Sequence, residues 1–121
     1  MKKTIAIIML LAVSTMAADL TGKWSGSFKA DGADHTVPQL FILKQQGKML
    51  TGSGGPNAGE QYPIENGRVE DSKINFELTT GEWKFEYDLK QTESDGLAGN
   101  LKLTSVGDSR NAKVTLARLK Q

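Results

Sequence analysis

The chain has 121 residues, carries a formal charge of +1 and contains no cysteine. That length supports one small domain, and the near-neutral balance gives no electrostatic case for nucleic acid or an anionic membrane surface as partner. Without thiols there is no disulfide framework, no thiol catalysis and no thiolate metal site.

Residues 1–18 read separately from the rest. Lys2 and Lys3 form a basic head, Thr4 to Val13 a mostly apolar run, and Ser14 to Ala18 a stretch of mostly small residues. This is the layout of a cleavable secretory signal peptide. The run is too short to span a bilayer as a stable helix, which takes ~20 residues. Cleavage is expected after Ala17 or Ala18, and no cysteine follows the run for lipid attachment. The expected product is a single domain, 19–121, in the periplasm or the medium, with no stable membrane anchor. Removal of Lys2 and Lys3 takes the formal charge from +1 to −1. Many exported domains this small rely on disulfides; here sheet closure and an apolar core must do that work.

The first strand is Leu20-Thr21-Gly22-Lys23-Trp24-Ser25-Gly26-Ser27-Phe28, with apolar or glycine residues at even positions and polar ones at odd positions. This period of two gives one buried and one wet face. Gly22 and Gly26 flank Trp24 and are expected to leave room for its indole. Residues 30–35 make a polar loop, and Val37 to Gln45 the second strand. Leu40-Phe41-Ile42-Leu43 is apolar on both faces, so this strand is either covered on both sides or leaves an apolar strip outside. Gln46-Gly47 turns into a strand over 48–54.

The glycines and proline of 54–59 predict a loop, at the mouth of a barrel. Asn66-Gly67, between Tyr62–Glu65 and Arg68–Glu70, predicts a tight hairpin turn. Asp71-Ser72 turns into Lys73–Thr80, with Ile74, Phe76 and Leu78 inward. Glu82–Lys90 alternates throughout, placing Trp83, Phe85, Tyr87 and Leu89 on one face. Asp95-Gly96 leads into Leu97, Gly99, Leu101 and Leu103. After an expected loop over 106–110, the last strand puts Ala112, Val114, Leu116 and Arg118 on one face.

About eight short strands with short connections, and no helical period after residue 18, predict an all-β fold. The expected architecture is an antiparallel up-and-down β-barrel, eight being a number at which such a meander closes and loses its edges. A two-sheet β-sandwich is the alternative.

Gly22-Lys23-Trp24 on the first strand, with an inward Arg118 as the fourth residue from the C-terminal end, resembles the calycin superfamily, the lipocalins and their relatives. The repeated Leu-Thr-Gly of 20–22 and 50–52, and Leu43-Lys44-Gln45, are similar to small exported lipocalin-like proteins of bacteria, many of them without an assigned function. The resemblance implies that Trp24 closes the barrel floor and that Arg118 packs across it, a cation–π contact of roughly 0.5–2 kcal/mol. The chain is shorter than true lipocalins and lacks their terminal helix and disulfide, which argues against a roomy cavity.

The residues carry little catalytic signal. His35, with Asp31 and Asp34, fits no metal-ligand spacing, and no motif ties it to a serine or threonine nucleophile. Glu77, Glu82, Glu86 and Asp88 fall on outward faces. No phosphate loop is present, since the glycines of 52–59 lack a following lysine and helix. The expected activity is therefore non-catalytic, with no cofactor and no metal.

Phe41, Trp83, Phe85 and Tyr87 either fill the barrel or line a small apolar cavity beside the 54–59 loop. The inward glycines 22, 26, 52, 54 and 99 either leave space there or let strands bend and approach. The favoured function is binding of a small apolar or amphipathic ligand by a monomer. The alternative is an inhibitor or envelope protein-interaction module that meets an extracytoplasmic protein through loops 30–36 and 54–61 or the outer face of 40–43.

Overall fold

The computed structural model describes residues 19–120, so the expected signal peptide, 1–18, lies outside the described residues. Nine strands follow one another: β1 Gly22–Ala30, β2 Val37–Gln46, β3 Met49–Asn57, β4 Glu60–Pro63, β5 Glu65–Glu70, β6 Lys73–Thr80, β7 Trp83–Gln91, β8 Gly96–Ser105 and β9 Asp108–Arg118. All pairings are antiparallel. β4 and β5 both pair with β3, and Ile64 between them donates its amide to the Gly52 carbonyl at 2.9 Å. Together they make one interrupted wall strand. The wall closes where β1 pairs with β9, giving an eight-stranded up-and-down barrel. The sandwich alternative is excluded by that closure.

Alternation decides which side chains enter the barrel. Trp24 and Phe28 of β1, Phe41 and Leu43 of β2, Ile74, Phe76 and Leu78 of β6, and Tyr87 and Leu89 of β7 are all buried. Leu97 and Leu101 of β8 and Val114 and Leu116 of β9 complete one continuous core. Large apolar side chains contribute about 1.5–3 kcal/mol each when fully buried, and this core takes the place of the disulfides the chain cannot form.

Tight turns set the register. Gly47-Lys48, Asp71-Ser72 and Gly81-Glu82 are two-residue connections whose first residue has positive φ (61°, 58° and 62°). That is the position a hairpin turn of this kind reserves for glycine, with aspartate tolerated.

Three expected connections are strand instead. The glycine-rich 54–57 segment continues β3, and the turn beyond it is confined to Ala58-Gly59. Gly54 lies under the Phe41 ring and Gly55 against the Glu60 carbonyl, where a Cβ would collide. The glycines therefore admit neighbours rather than break the ladder, and Pro56 sits where the β3–β4 register is irregular. Asn66-Gly67 lies inside β5, at a bulge opposite β6. The 106–110 segment is a Val106-Gly107 turn, with Ser105 paired to Asp108 and β9 starting at once.

The bulge has a plain cause. Tyr62 and Ile64 face the core at even positions, whereas Val69 faces it at an odd one. One extra residue must be inserted between them for both sets to point inward. Asn66, at φ 52°, is that residue.

Candidate functional site

The two ends of the barrel are built differently. At one end Trp24 is fully buried and its indole Nε1 donates to the Leu20 carbonyl at 2.9 Å. Arg118 stands directly opposite Trp24 across the closing β1–β9 pair, and its guanidinium carbon lies 4.5 Å from the indole centroid. Its Nε donates to Asp95 Oδ2 at 3.0 Å, Nη1 to the Thr21 carbonyl at 3.0 Å, and Nη2 to the Asp19 carbonyl at 2.9 Å. The charge thus has an acceptor for each nitrogen and an aromatic face beneath it.

These bonds strap residues 19–21 across the floor, with Leu20 buried and its amide donating to Gln45 Oε1 at 3.0 Å. Asp19 accepts from the Thr21 amide and hydroxyl, which lower its carboxyl below the usual carboxylate range. Gly22 faces the Arg118 guanidinium, and Gly26 faces the Thr115 carbonyl of β9. The expectation that both make room for the indole is corrected: one makes room for the arginine, the other for a neighbouring strand. Gly52 and Gly99 likewise abut the Ile42 and Asp88 carbonyls. These inward glycines allow strands to approach and do not open space.

The middle of the barrel is filled. Phe76 stacks on Tyr87 with centroids 4.7 Å apart, and Phe41 meets each of them edge-on at 5.3 Å. Above this layer, toward the loops at 31–36, 58–59, 81–82 and 106–107, a cavity of about 180 Å³ remains. Phe28, Val37, Leu78 and Phe85 form its apolar walls, with Pro56 and Tyr62 on the β3–β4 side.

At its base the Tyr87 hydroxyl donates to Gln39 Oε1, and Gln39, only 6% exposed, donates its amide to the Pro38 carbonyl at 3.2 Å. A phenol and an amide are both uncharged at neutral pH, and burial, which pushes the Tyr87 phenol well above its ordinary value, keeps the base neutral at higher pH as well. At the mouth the Tyr62 hydroxyl donates to Glu60 Oε2 at 2.6 Å, and this bond raises the Tyr62 phenol.

The expected interior residues therefore separate. Phe41 and Tyr87 fill the centre, with only the upper edge of Tyr87 reaching the cavity. Phe85, half-buried, is cavity wall and meets Phe28 edge-on at 6.3 Å. Trp83 is half-buried at the rim beside the β6–β7 turn, outside the core cluster and the cavity lining, so its expected place in the interior is corrected. Gln39, Tyr62 and Phe28 were not singled out by the sequence. Gln39 carries a legible signal, since it shares the inward parity of Phe41 and Leu43. Glu60 falls in the 54–61 stretch expected to be a loop, and Tyr62 at the start of an expected strand with no face assigned to it.

A larger depression of about 390 Å³ lies on the outside of the wall, over β5 to β9. Asn75, Glu77, Glu86, Asp88, Asn100 and Lys102 line it. Glu77 stands opposite Glu65 on one side and Glu86 on the other, a like-charge row eased by Lys84 at 3.6 Å and the Asn66 amide at 3.3 Å. Its lining is charged and solvent-facing, with Asn75 donating to Asp88 at 3.2 Å, and the apolar cavity at the barrel mouth is the better binding candidate.

His35 is exposed, with Nδ1 3.1 Å from Asp34 Oδ1. Among the described residues no three histidine or carboxylate side chains gather as a metal site. On the outer face of β2, Ile42 is 39% exposed.

The chain matches no protein-family model, no curated protein and no solved structure.

Proposed function

We propose that this chain is an exported, lipocalin-like, non-catalytic barrel that binds a small apolar or amphipathic molecule at its open end. The observation that carries the reading is the asymmetry of the barrel: a sealed floor at Trp24 and Arg118, and an apolar cavity at the other end with a buried amide–phenol pair at its base. A mostly apolar pocket with a few fixed polar groups is the usual form of a small-molecule site. Charged and polar side chains outside an apolar interior are the reverse of a membrane-spanning barrel, which supports action in aqueous surroundings. The basic head, apolar run and small residues of 1–18 support export.

Native mass spectrometry of the protein purified from the cells that make it tests both parts. The expected polypeptide mass begins at Ala18 or Asp19, with a reproducible additional mass that is lost on unfolding. In a Val37→Phe variant, whose ring would occupy the cavity, the additional mass should be absent. A bare polypeptide in the wild type overturns the ligand reading and turns attention to a protein partner at the 31–36 loop. A mass that retains Met1 to Ala17 overturns export.

A further inference from the structure

Three properties of the open-end cavity restrict what fits it. The first is volume. About 180 Å³ is available, and an apolar cavity of roughly 150 Å³ accommodates benzene. The Phe41, Phe76 and Tyr87 layer blocks extension further down the barrel. A long acyl chain cannot be buried along the barrel axis.

The second is wall chemistry. Phe28 and Phe85 already meet edge-on, and Tyr62 faces the same space from β4, so a flat ring finds both edges and faces to pack against.

The third is the polar base. The Tyr87 hydroxyl spends its proton on Gln39 Oε1, leaving its oxygen free to accept. Gln39 Nε2 gives one hydrogen to Pro38 and keeps a second. One donor and one acceptor, side by side and neutral, match a hydroxyl group, which both accepts and donates. They match a carboxylate poorly, because it has no proton to give and needs a cation. No lysine, arginine or histidine lines the cavity, and the one acidic side chain there is Glu60 at the mouth.

Resting on the cavity-binding reading above, we infer that the ligand is a neutral molecule about the size of one substituted aromatic ring, bearing a hydroxyl-like end that docks between Gln39 and Tyr87. Carboxylates, fatty acids among them, are rejected.

The test titrates the wild-type protein at neutral pH with benzyl alcohol, toluene, benzoate and decanoate, reading the methyl resonances of Val37 and Leu78. Benzyl alcohol should bind at least roughly tenfold more tightly than benzoate, because burying a carboxylate beside neutral groups forfeits its hydration. It should also bind more tightly than toluene, and a Gln39→Leu variant with a cooperative melt should erase that second preference.

Benzoate or decanoate binding as tightly as benzyl alcohol overturns the inferred class. If Val37→Phe abolishes that carboxylate binding, the cavity reading survives. Failure of all four probes to shift Val37 or Leu78 also overturns the class, and the added mass in the native spectrum then decides the cavity reading alone. Toluene equalling benzyl alcohol in the wild type overturns the role given to Gln39 and Tyr87.

Discussion

Arg118 shows how one charged side chain can belong to an apolar interior. Its three nitrogens reach Asp95, Thr21 and Asp19, and its plane covers an indole that has no other use for that face. A lysine could supply charge but not the planar fork. Arg118→Ala is expected to destabilise the barrel by about 1–3 kcal/mol through lost packing and an uncovered indole. Arg118→Lys should recover less than half of that loss. Urea denaturation followed by tryptophan fluorescence measures both, and an Arg118→Ala midpoint equal to wild type would remove the floor-clamp account. The Trp24–Arg118 pairing was expected from the calycin resemblance, and it fits a lone arginine on an inward face that requires a partner. Its hydrogen bonds to residues 19–21 were not, since they depend on where the chain lies before the first strand begins.

At the scale of elements, parity decided what the sequence could and could not reveal. β1, β2, β6, β7, β8 and β9 each keep one alternation from end to end, and their inward residues could be read directly, except that Trp83 at the start of β7 lies at the rim. β5 changes parity midway. Asn66-Gly67 is composed like a hairpin turn, and local chemistry alone does not distinguish a turn from a bulge, since both use a residue of positive φ beside glycine. The distinguishing fact is long-range: Met49 and Leu50 of β3 pair with Arg68 and Gly67, which keeps the segment in the wall.

The same long-range requirement made glycines 54 and 55 strand residues, because Phe41 and the Glu60 carbonyl occupy the space their side chains would need. If Asn66 is the inserted residue, its demand is for a left-handed backbone conformation. Asn66→Gly should then change stability by less than about 0.5 kcal/mol, whereas a β-branched Asn66→Val should cost about 1–2 kcal/mol. The Asn66 amide contact to Glu77 is solvent-exposed and contributes little. Equal melting temperatures for the glycine and valine variants would argue against the bulge.

For the molecule as a whole, the barrel combines a floor closed by a cation, a centre filled by aromatic rings, and an upper cavity whose base is the Tyr87–Gln39 bond. That bond ties the central layer to the cavity, so its state is visible in the stability of the entire fold. Tyr87→Phe leaves Gln39 Oε1 buried without its donor and should cost about 1–3 kcal/mol at neutral pH. The pH dependence separates this from a packing defect. In the unfolded chain the phenol titrates near its ordinary value of 10.0, while burial holds the folded phenol protonated well above it. The unfolded state therefore binds fewer protons once the pH passes that value, and stability falls as pH rises. The contribution is fully present below about pH 10 and declines above it by about 1.4 kcal/mol per pH unit until the folded phenol also ionises. The Phe variant lacks this term. Urea unfolding of both proteins from about pH 8 to pH 12 should show the wild type more stable at first, then the two curves converging by about 2–3 kcal/mol. Curves that stay parallel would mean that Tyr87 ionises as freely in the barrel as in the unfolded chain. The base of the cavity would then be open to water, and water would compete for the donor and the acceptor on which ligand choice depends.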